Sequence, residues 1–140
     1  SEAVEFCREK GLNVRRGDLF NDILRKFDLI VFNPPWLPSS FNPENIDGAI
    51  YYNEKLFSDF FAGAKKRLLP EGKLLLLFSN LAQITNLTKE HPIEKELAEG
   101  GRVQLEKTFK KRVKNTSNKT KRDSHWRSSE EVELWILTNN

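Results

Sequence analysis

The stretch Phe27-Asp28-Leu29-Ile30-Val31-Phe32-Asn33-Pro34-Pro35-Trp36 decides how the rest of the chain is read. Its first six residues form a near-continuous apolar run of strand length with β-branched and aromatic members, the pattern of a buried parallel strand. Asn33 and Pro34 each precede a proline, which disfavours the α region and keeps the chain extended just past the strand end. Neither proline has an N–H. The polar groups at this tip are therefore the carbonyls of Asn33, Pro34 and Pro35 and the Asn33 side-chain amide, a set weighted toward acceptors. Such a set suits a ligand that presents an NH2 group, and Trp36 adds a flat apolar face for a planar group. Taken alone, the tetrapeptide reads better as a proline-stiffened turn with Trp36 in the core.

Outward from this tip the elements alternate. Glu2 to Lys10 carries Ala3, Val4, Phe6 and Cys7 at helical spacing, with Gly11 as a stop just beyond. Leu12 to Arg16 reads as a short strand ending at Gly17-Asp18. After the motif, Leu37 to Asn45 is too rich in Pro, Ser and Asn for regular structure and is expected to be a surface loop. From Tyr51 to Leu69 the residues Leu56, Phe57, Phe60, Phe61, Ala64 and Leu68 share one helical face, and Pro70 and Gly72 end that helix. Lys73 to Phe78 is a second continuous apolar strand, Ile93 to Glu99 looks helical before Gly100-Gly101, and Val103 to Val113 and Glu131 to Thr138 are the last two strands. Strands alternating with helices imply a doubly wound α/β sheet.

Composition fits a single domain over residues 1–140. The chain is 38% hydrophobic and 31% charged, the balance of a globular protein, and no stretch approaches the length of a membrane span. The charged start Ser1-Glu2-Ala3-Val4-Glu5 is not a signal peptide. A lone Cys7 excludes an internal disulfide and gives no metal spacing, so a reducing cytoplasm is the default compartment. His91, beside Pro92, and His125, in a polar segment, read as surface residues.

From Arg102 to Arg122 nine cations are opposed only by Glu106, a local excess of eight against a net +3 for the whole chain. Lys110, Lys111, Arg112 and Lys114 lead into a polar insertion between the last two strands. Lysine and arginine neutralising phosphates supply most sequence-independent affinity for nucleic acid, so the stretch is a candidate RNA-backbone contact. A solvated loop is the plain alternative.

Asn-Pro-Pro followed by an aromatic, directly after a Phe-Asp-Leu-Ile-Val strand, resembles the catalytic motif of class I S-adenosylmethionine-dependent methyltransferases that act on amino or amide nitrogens. Gly17-Asp18-Leu19-Phe20 is similar to the Gly-Asp at the end of that family's preceding strand, and Leu68-Leu69-Pro70-Glu71-Gly72-Lys73-Leu74-Leu75-Leu76-Leu77 to its helix end, turn and fifth strand. Within the family the resemblance points to the small-domain group, which includes ribosomal RNA guanine and release-factor glutamine methyltransferases.

This resemblance implies a Rossmann-like sheet, mostly parallel with an antiparallel C-terminal edge hairpin. It also implies that the chain is the C-terminal two-thirds of the domain. None of the seven glycines makes the expected strand-to-helix turn for the cofactor, so the N-terminal strands are expected to be missing and binding of S-adenosylmethionine by this chain alone to be weak or absent. Asp18 would accept from the adenine amino group, with Leu19 near the ring and Asn33 beside the transferred methyl; from the residues alone, Asp18 is equally a turn aspartate.

Asn33 and Pro34 would each accept one N–H of the target nitrogen, Pro35 would stiffen the tip, and Trp36 would stack on the target where the family commonly has Tyr or Phe. No metal is implied. RNA and a ribosomal or translation-factor protein are the expected substrates, with the basic stretch favouring RNA. A non-catalytic nucleic-acid or protein-binding module that retains the fold is the alternative.

Overall fold

The computed structural model describes residues 1–39, 51–114 and 129–140. Its elements are α1 (Glu2–Glu9), β1 (Phe27–Phe32), β2 (Leu37–Pro38), β3 (Tyr51–Tyr52), α2 (Leu56–Arg67), β4 (Leu68–Ser79), α3 (Leu81–Ile84), α4 (Pro92–Lys95) continuing into a π-helical turn (Glu96–Gly100), β5 (Val103–Arg112) and β6 (Glu131–Asn139). The main sheet has the order β1-β4-β6-β5. β1 runs parallel to β4, whereas β4–β6 and β6–β5 are antiparallel, so the expected C-terminal edge hairpin is present. β2 and β3 form a separate two-stranded parallel pair.

Helix α2 shows how local sequence drives this packing. Asn53 accepts the N–H groups of Lys55 and Leu56 through its side-chain oxygen at 3.0 and 2.9 Å, satisfying donors that a helix start leaves open. Lys65, Lys66 and Arg67 crowd the last turn, where cations complement the helix dipole. Between the ends, Phe57, Phe60, Phe61 and Ala64 are buried at three- and four-residue intervals. They meet Leu74, Leu76 and Phe78 of β4 and Trp135 and Leu137 of β6 in one core, joined by Ile93 of α4.

Along β4 and β6 the side chains alternate, as a pleated strand requires. Leu74, Leu76, Phe78, Glu133, Trp135 and Leu137 are buried on the helix-covered face. Leu75 pairs with Ile136 and Leu77 with Leu134 on the opposite face, where all four are half-buried. Among the described residues no comparable layer covers that second face, and Leu29, Val31 and Phe109 are exposed.

Four sequence-based expectations need correction. Among the described residues β1 lies at the edge of the sheet, and only Ile30 is buried in it. Residues 12–16 form no strand, for no neighbouring strand among the described residues offers them a ladder, and Leu12 is exposed. The helix begins at Leu56 rather than Tyr51, because Tyr51 and Tyr52 pair with Leu37 and Pro38; that pairing also gives the start of the expected loop regular structure, while residues 40–45 lie outside the described residues.

Finally, Pro70 and Gly72 lie inside β4 rather than before it. The β1–β4 register jumps from Phe27↔Leu68 to Leu29↔Lys73, so these residues form an irregular stretch in which a proline without an N–H disrupts no regular ladder. A Cβ at Gly72 would lie 2.8 Å from Leu68 Cδ1 and 3.0 Å from the Leu69 oxygen, so the stretch closes only around glycine.

Phe61 is fully buried at the centre of this core. In the full-length protein, Phe61→Ala is expected to cost about 3–5 kcal/mol of unfolding free energy, seen as a lower urea midpoint with unchanged slope.

Candidate functional site

Phe32 pairs with Leu76, one residue before the Asn-Pro-Pro-Trp tip, so the tip emerges at the carboxyl end of the parallel pair β1–β4. Asn33 is exposed, Pro34 is buried, and Pro35 and Trp36 are half-buried. Trp36 packs its apolar body against the core and its Nε1–H donates to the Leu77 carbonyl of β4 at 3.4 Å. The two readings of Trp36 thus describe two parts of one side chain: an anchored inner part and an accessible remainder. Asn33, by contrast, is exposed, and among the described residues its side-chain oxygen and NH2 have no partner.

Asp18 is exposed in a turn where its carbonyl accepts the Asn21 N–H at 3.0 Å. Leu19 adopts a positive φ of 47° and is half-buried against the core. The next residue explains how this turn is held. Phe20 lies 5.5 Å from Phe60 of α2, centroid to centroid, and Phe32 of β1 stacks on the same Phe60 ring at 4.2 Å. Gly63, one helical turn further along α2, makes room for Phe20: a Cβ there would lie 2.4 Å from the Phe20 ring. One aromatic side chain therefore ties the Asp18 turn and the Asn33 tip to a common support.

Beyond Ser39 a cleft of about 740 Å³ runs between Tyr52 and Phe57 on one wall and Thr88, Glu90 and Arg102 on the other. Burial, and secondarily the charge of Glu90, push the Tyr52 hydroxyl above its ordinary range, so it stays a neutral donor. Arg102 closes one end, with Nε and Nη2 donating to the Glu96 carboxylate at 2.8 and 2.5 Å and Nη1 donating to the Ser58 carbonyl at 3.1 Å.

His91 is not a surface residue. It is buried, caps α4 by accepting the Glu94 N–H at Nδ1, and so carries its proton on Nε2, which donates to Glu133 Oε2 at 2.9 Å. Trp135 Nε1–H donates to the same oxygen at 2.8 Å, and Lys110 Nζ lies 3.2 Å from Glu133 Oε1. Burial alone would raise the Glu133 pKa. The hydrogen bonds from His91 and Trp135, with the positive charge nearby, outweigh it and hold the carboxylate at about 2.

A signal for this cluster was present in the sequence: Glu133 interrupts Val132-Leu134-Trp135 at an inward position of an alternating strand, where an acid requires partners. His125 lies outside the described residues. Among those described, no group of three or more His, Cys, Asp or Glu side chains could hold a metal ion, and no helix is long and apolar enough to cross a membrane.

The proposed phosphate contacts separate by strand face. Lys110 pairs across the ladder with Glu133 on the helix-covered side, whereas Lys111 pairs with Val132 on the open side. Lys110 is therefore held by Glu133, and Lys111, Arg112 and Lys114 are exposed.

Residues 10–117 match the family described as BMT5-like, rRNA (uridine-N3-)-methyltransferase BTM5-like. The chain belongs to the BMT5-like family. No curated protein matches it. Among solved structures it is similar to a ribosomal protein L11 methylase from Lactobacillus delbrueckii subsp. bulgaricus, at 18% identity and a TM-score of 0.51, over 99% of this chain and 51% of that one. It is also similar to TrmN from Thermus thermophilus, at 17% identity and a TM-score of 0.55, over 99% of this chain and 32% of that one. The BMT5-like chain thus has a Rossmann-like methyltransferase fold and spans about half the length of the first of these structural neighbours and about a third of the second.

Glu133 gives the BMT5-like fold a pH dependence whose sign is fixed by its depressed pKa. Its contribution is complete above the ordinary carboxylate value of 4.5 and is lost as pH falls toward about 2. Thermal melts of the full-length protein should show Glu133→Gln lowering the midpoint at neutral pH and flattening its decline between those pH values.

Proposed function

We propose that the intact protein transfers a methyl group from S-adenosylmethionine to N3 of a uridine in ribosomal RNA, with Asn33 as the residue that presents the target nitrogen. The observation that supports this most is the exposed Asn33 amide at the end of β1, beside a half-buried Trp36, in a chain whose family is described by that reaction. The reading narrows the nitrogen class implied by the motif from an amino or amide group to an imide.

The chemistry of the site suits this narrower target. Uridine N3 bears one N–H flanked by two carbonyls. A side-chain amide is its complement: Asn33 Oδ1 can accept from N3–H while Asn33 Nδ2 donates to a neighbouring carbonyl. The Pro34 carbonyl has no second N–H to accept from an imide and acts only on the charge that develops there, and Trp36 offers a face on which the pyrimidine stacks. The nitrogen lone pair is delocalised, so it must be held in line with the methyl donor. Positioning of this kind is worth roughly 7–11 kcal/mol in favourable cases. N3 loses its proton to water as the methyl group arrives, and exposure of Asn33 leaves water access to the tip.

The residues present fit one end of the cofactor. Asp18 is an exposed acceptor next to the apolar Leu19 and Phe20, the combination that an adenine amino edge and ring face require. When bound, S-adenosylmethionine supplies an electrophilic methyl group on a sulfonium. The fixed acceptors at Asn33 and Pro34 stabilise charge that develops on the target as the transfer proceeds.

Mass spectrometry of nucleosides from unmodified ribosomal RNA treated with full-length protein and S-adenosylmethionine should show N3-methyluridine. Asn33→Ala should lower kcat by about 10²-fold or more, as removal of a fixed polar group at the reacting centre does. Unchanged kcat in that variant removes Asn33 from the mechanism, and methyl groups recovered only in protein remove the RNA reading.

A further inference from the structure

The open face of the β5–β6 hairpin has features that neither the fold nor the methyl-acceptor tip uses. Leu77, Phe109, Val132 and Leu134 form the floor of a hollow of about 280 Å³, and Lys111 and Arg112 contribute to its rim. This is the small end of the ligand-pocket range, room for one planar heterocycle rather than for a helix or a folded partner. Phe109 pairs with Leu134 on this face and is 47% exposed. An aromatic side chain left half in water on an edge strand is costly unless something covers it.

The charges around the hollow identify what does. Lys107 Nζ lies over the Phe109 ring, 4.5 Å from its centroid. Lys107, Phe109 and Lys111 follow the register shift between Leu105 and Lys107, so they alternate regularly and project from the same face. Lys107 and Lys111 are four residues apart on this strand, roughly 13 Å at about 3.3 Å per residue, which is about two phosphate-to-phosphate steps of an extended nucleic acid strand, with Phe109 midway between them. The acid of this strand, Glu106, is already held by Lys73 at 2.6 Å, and neither Lys107 nor Lys111 is in an ion pair among the described residues. A ring face flanked by cations at strand spacing is the arrangement by which single-stranded nucleic acid is bound, each base on an aromatic and each phosphate on a cation.

We infer that the open face of this hairpin is a subsite for single-stranded RNA, in which one base stacks on Phe109 over the hollow and phosphates two steps apart along the strand lie on Lys107 and Lys111. The subsite rests on the RNA reading given above and is separate from the target pocket. It holds a nucleotide beyond the one that is methylated. Lys110 takes no part in it, because Glu133 holds that side chain on the other face.

Fluorescence anisotropy of the full-length protein with a labelled oligouridylate, and with an abasic ribose-phosphate strand of equal length, tests the assignment. Phe109→Ala should weaken oligouridylate binding by about ten-fold, the scale of one lost base–aromatic stack, and leave the abasic strand unchanged; Phe109→Trp should restore binding. Lys107→Gln with Lys111→Gln should weaken both strands alike and reduce the salt dependence. Equal binding by wild type and Phe109→Ala, at matched thermal midpoints, overturns the subsite. So does self-association by light scattering that Phe109→Ala abolishes, since a second copy would then be the occupant. N3-methyluridine formation measured in parallel separates the two readings: methylation with oligouridylate binding indifferent to Phe109 sinks only the subsite, whereas neither RNA methylation nor RNA binding sinks both.

Discussion

The ladder between β1 and β4 pairs Phe32 with Leu76, and the position of the candidate site follows from that register. A slip of one residue would turn Ile30 outward, carry Phe32 off Phe60 and move Asn33 to the other face of the sheet. Phe60 secures the register from above, since it stacks on Phe32 at 4.2 Å while receiving Phe20 at 5.5 Å. Gly63 is part of the same arrangement because only a residue without a Cβ lets Phe20 approach α2 so closely. The strand end, the Asp18 turn and the helix are therefore coupled through one ring, and a side chain added at position 63 would disturb a turn that lies far from it in sequence.

Strand alternation explains why the two faces of the hairpin have different chemistry. On the helix-covered face, Glu133 is buried and would be strongly destabilising as a lone charge, so His91, Trp135 and Lys110 all converge on it. On the open face the same strands carry Phe109, Lys107 and Lys111. Lys110 and Lys111 are neighbours in sequence and belong to different functions, because a one-residue step along a strand changes the face. A count of cations across the segment cannot make this distinction, whereas the register can.

How much of this was legible in the sequence depended on the range of the interaction involved. The α2 face, the β4 and β6 runs and the edge hairpin were readable because their apolar periodicity is local and strong. The misreadings arose where a partner strand decides the outcome. Leu12 to Arg16 has strand-like residues but no ladder among the described residues, and Tyr51-Tyr52 has helical neighbours but pairs with Leu37-Pro38. Pro70 and Gly72 look like a break, yet an irregular stretch absorbs both into β4. His91 was misjudged because its position beside Pro92 suggests a loop, whereas a histidine preceding a proline at the first helical position is also a helix cap. At the candidate site, the kinds of group at Asn33 and Trp36 were legible from residue type alone, but Phe20, Phe60 and Gly63 were invisible as a unit because they are joined only by packing.

The substrate question reduces to the hydrogen-bond inventory at the tip. Two fixed acceptors suit an NH2 group, whose two N–H bonds they can both receive. An imide offers one N–H and two carbonyls, so a tip made only of backbone acceptors would face it with repulsion on either side. Asn33 removes that conflict because its side chain is both acceptor and donor, and its exposure leaves both atoms available. An aspartate at position 33 would keep the acceptor and lose the donor, which should still serve an amino group and fail with an imide. On the proposed reading, discrimination between these nitrogens rests on the Asn33 NH2 rather than on the prolines, whose contribution to either target is to hold the tip extended and free of competing backbone donors.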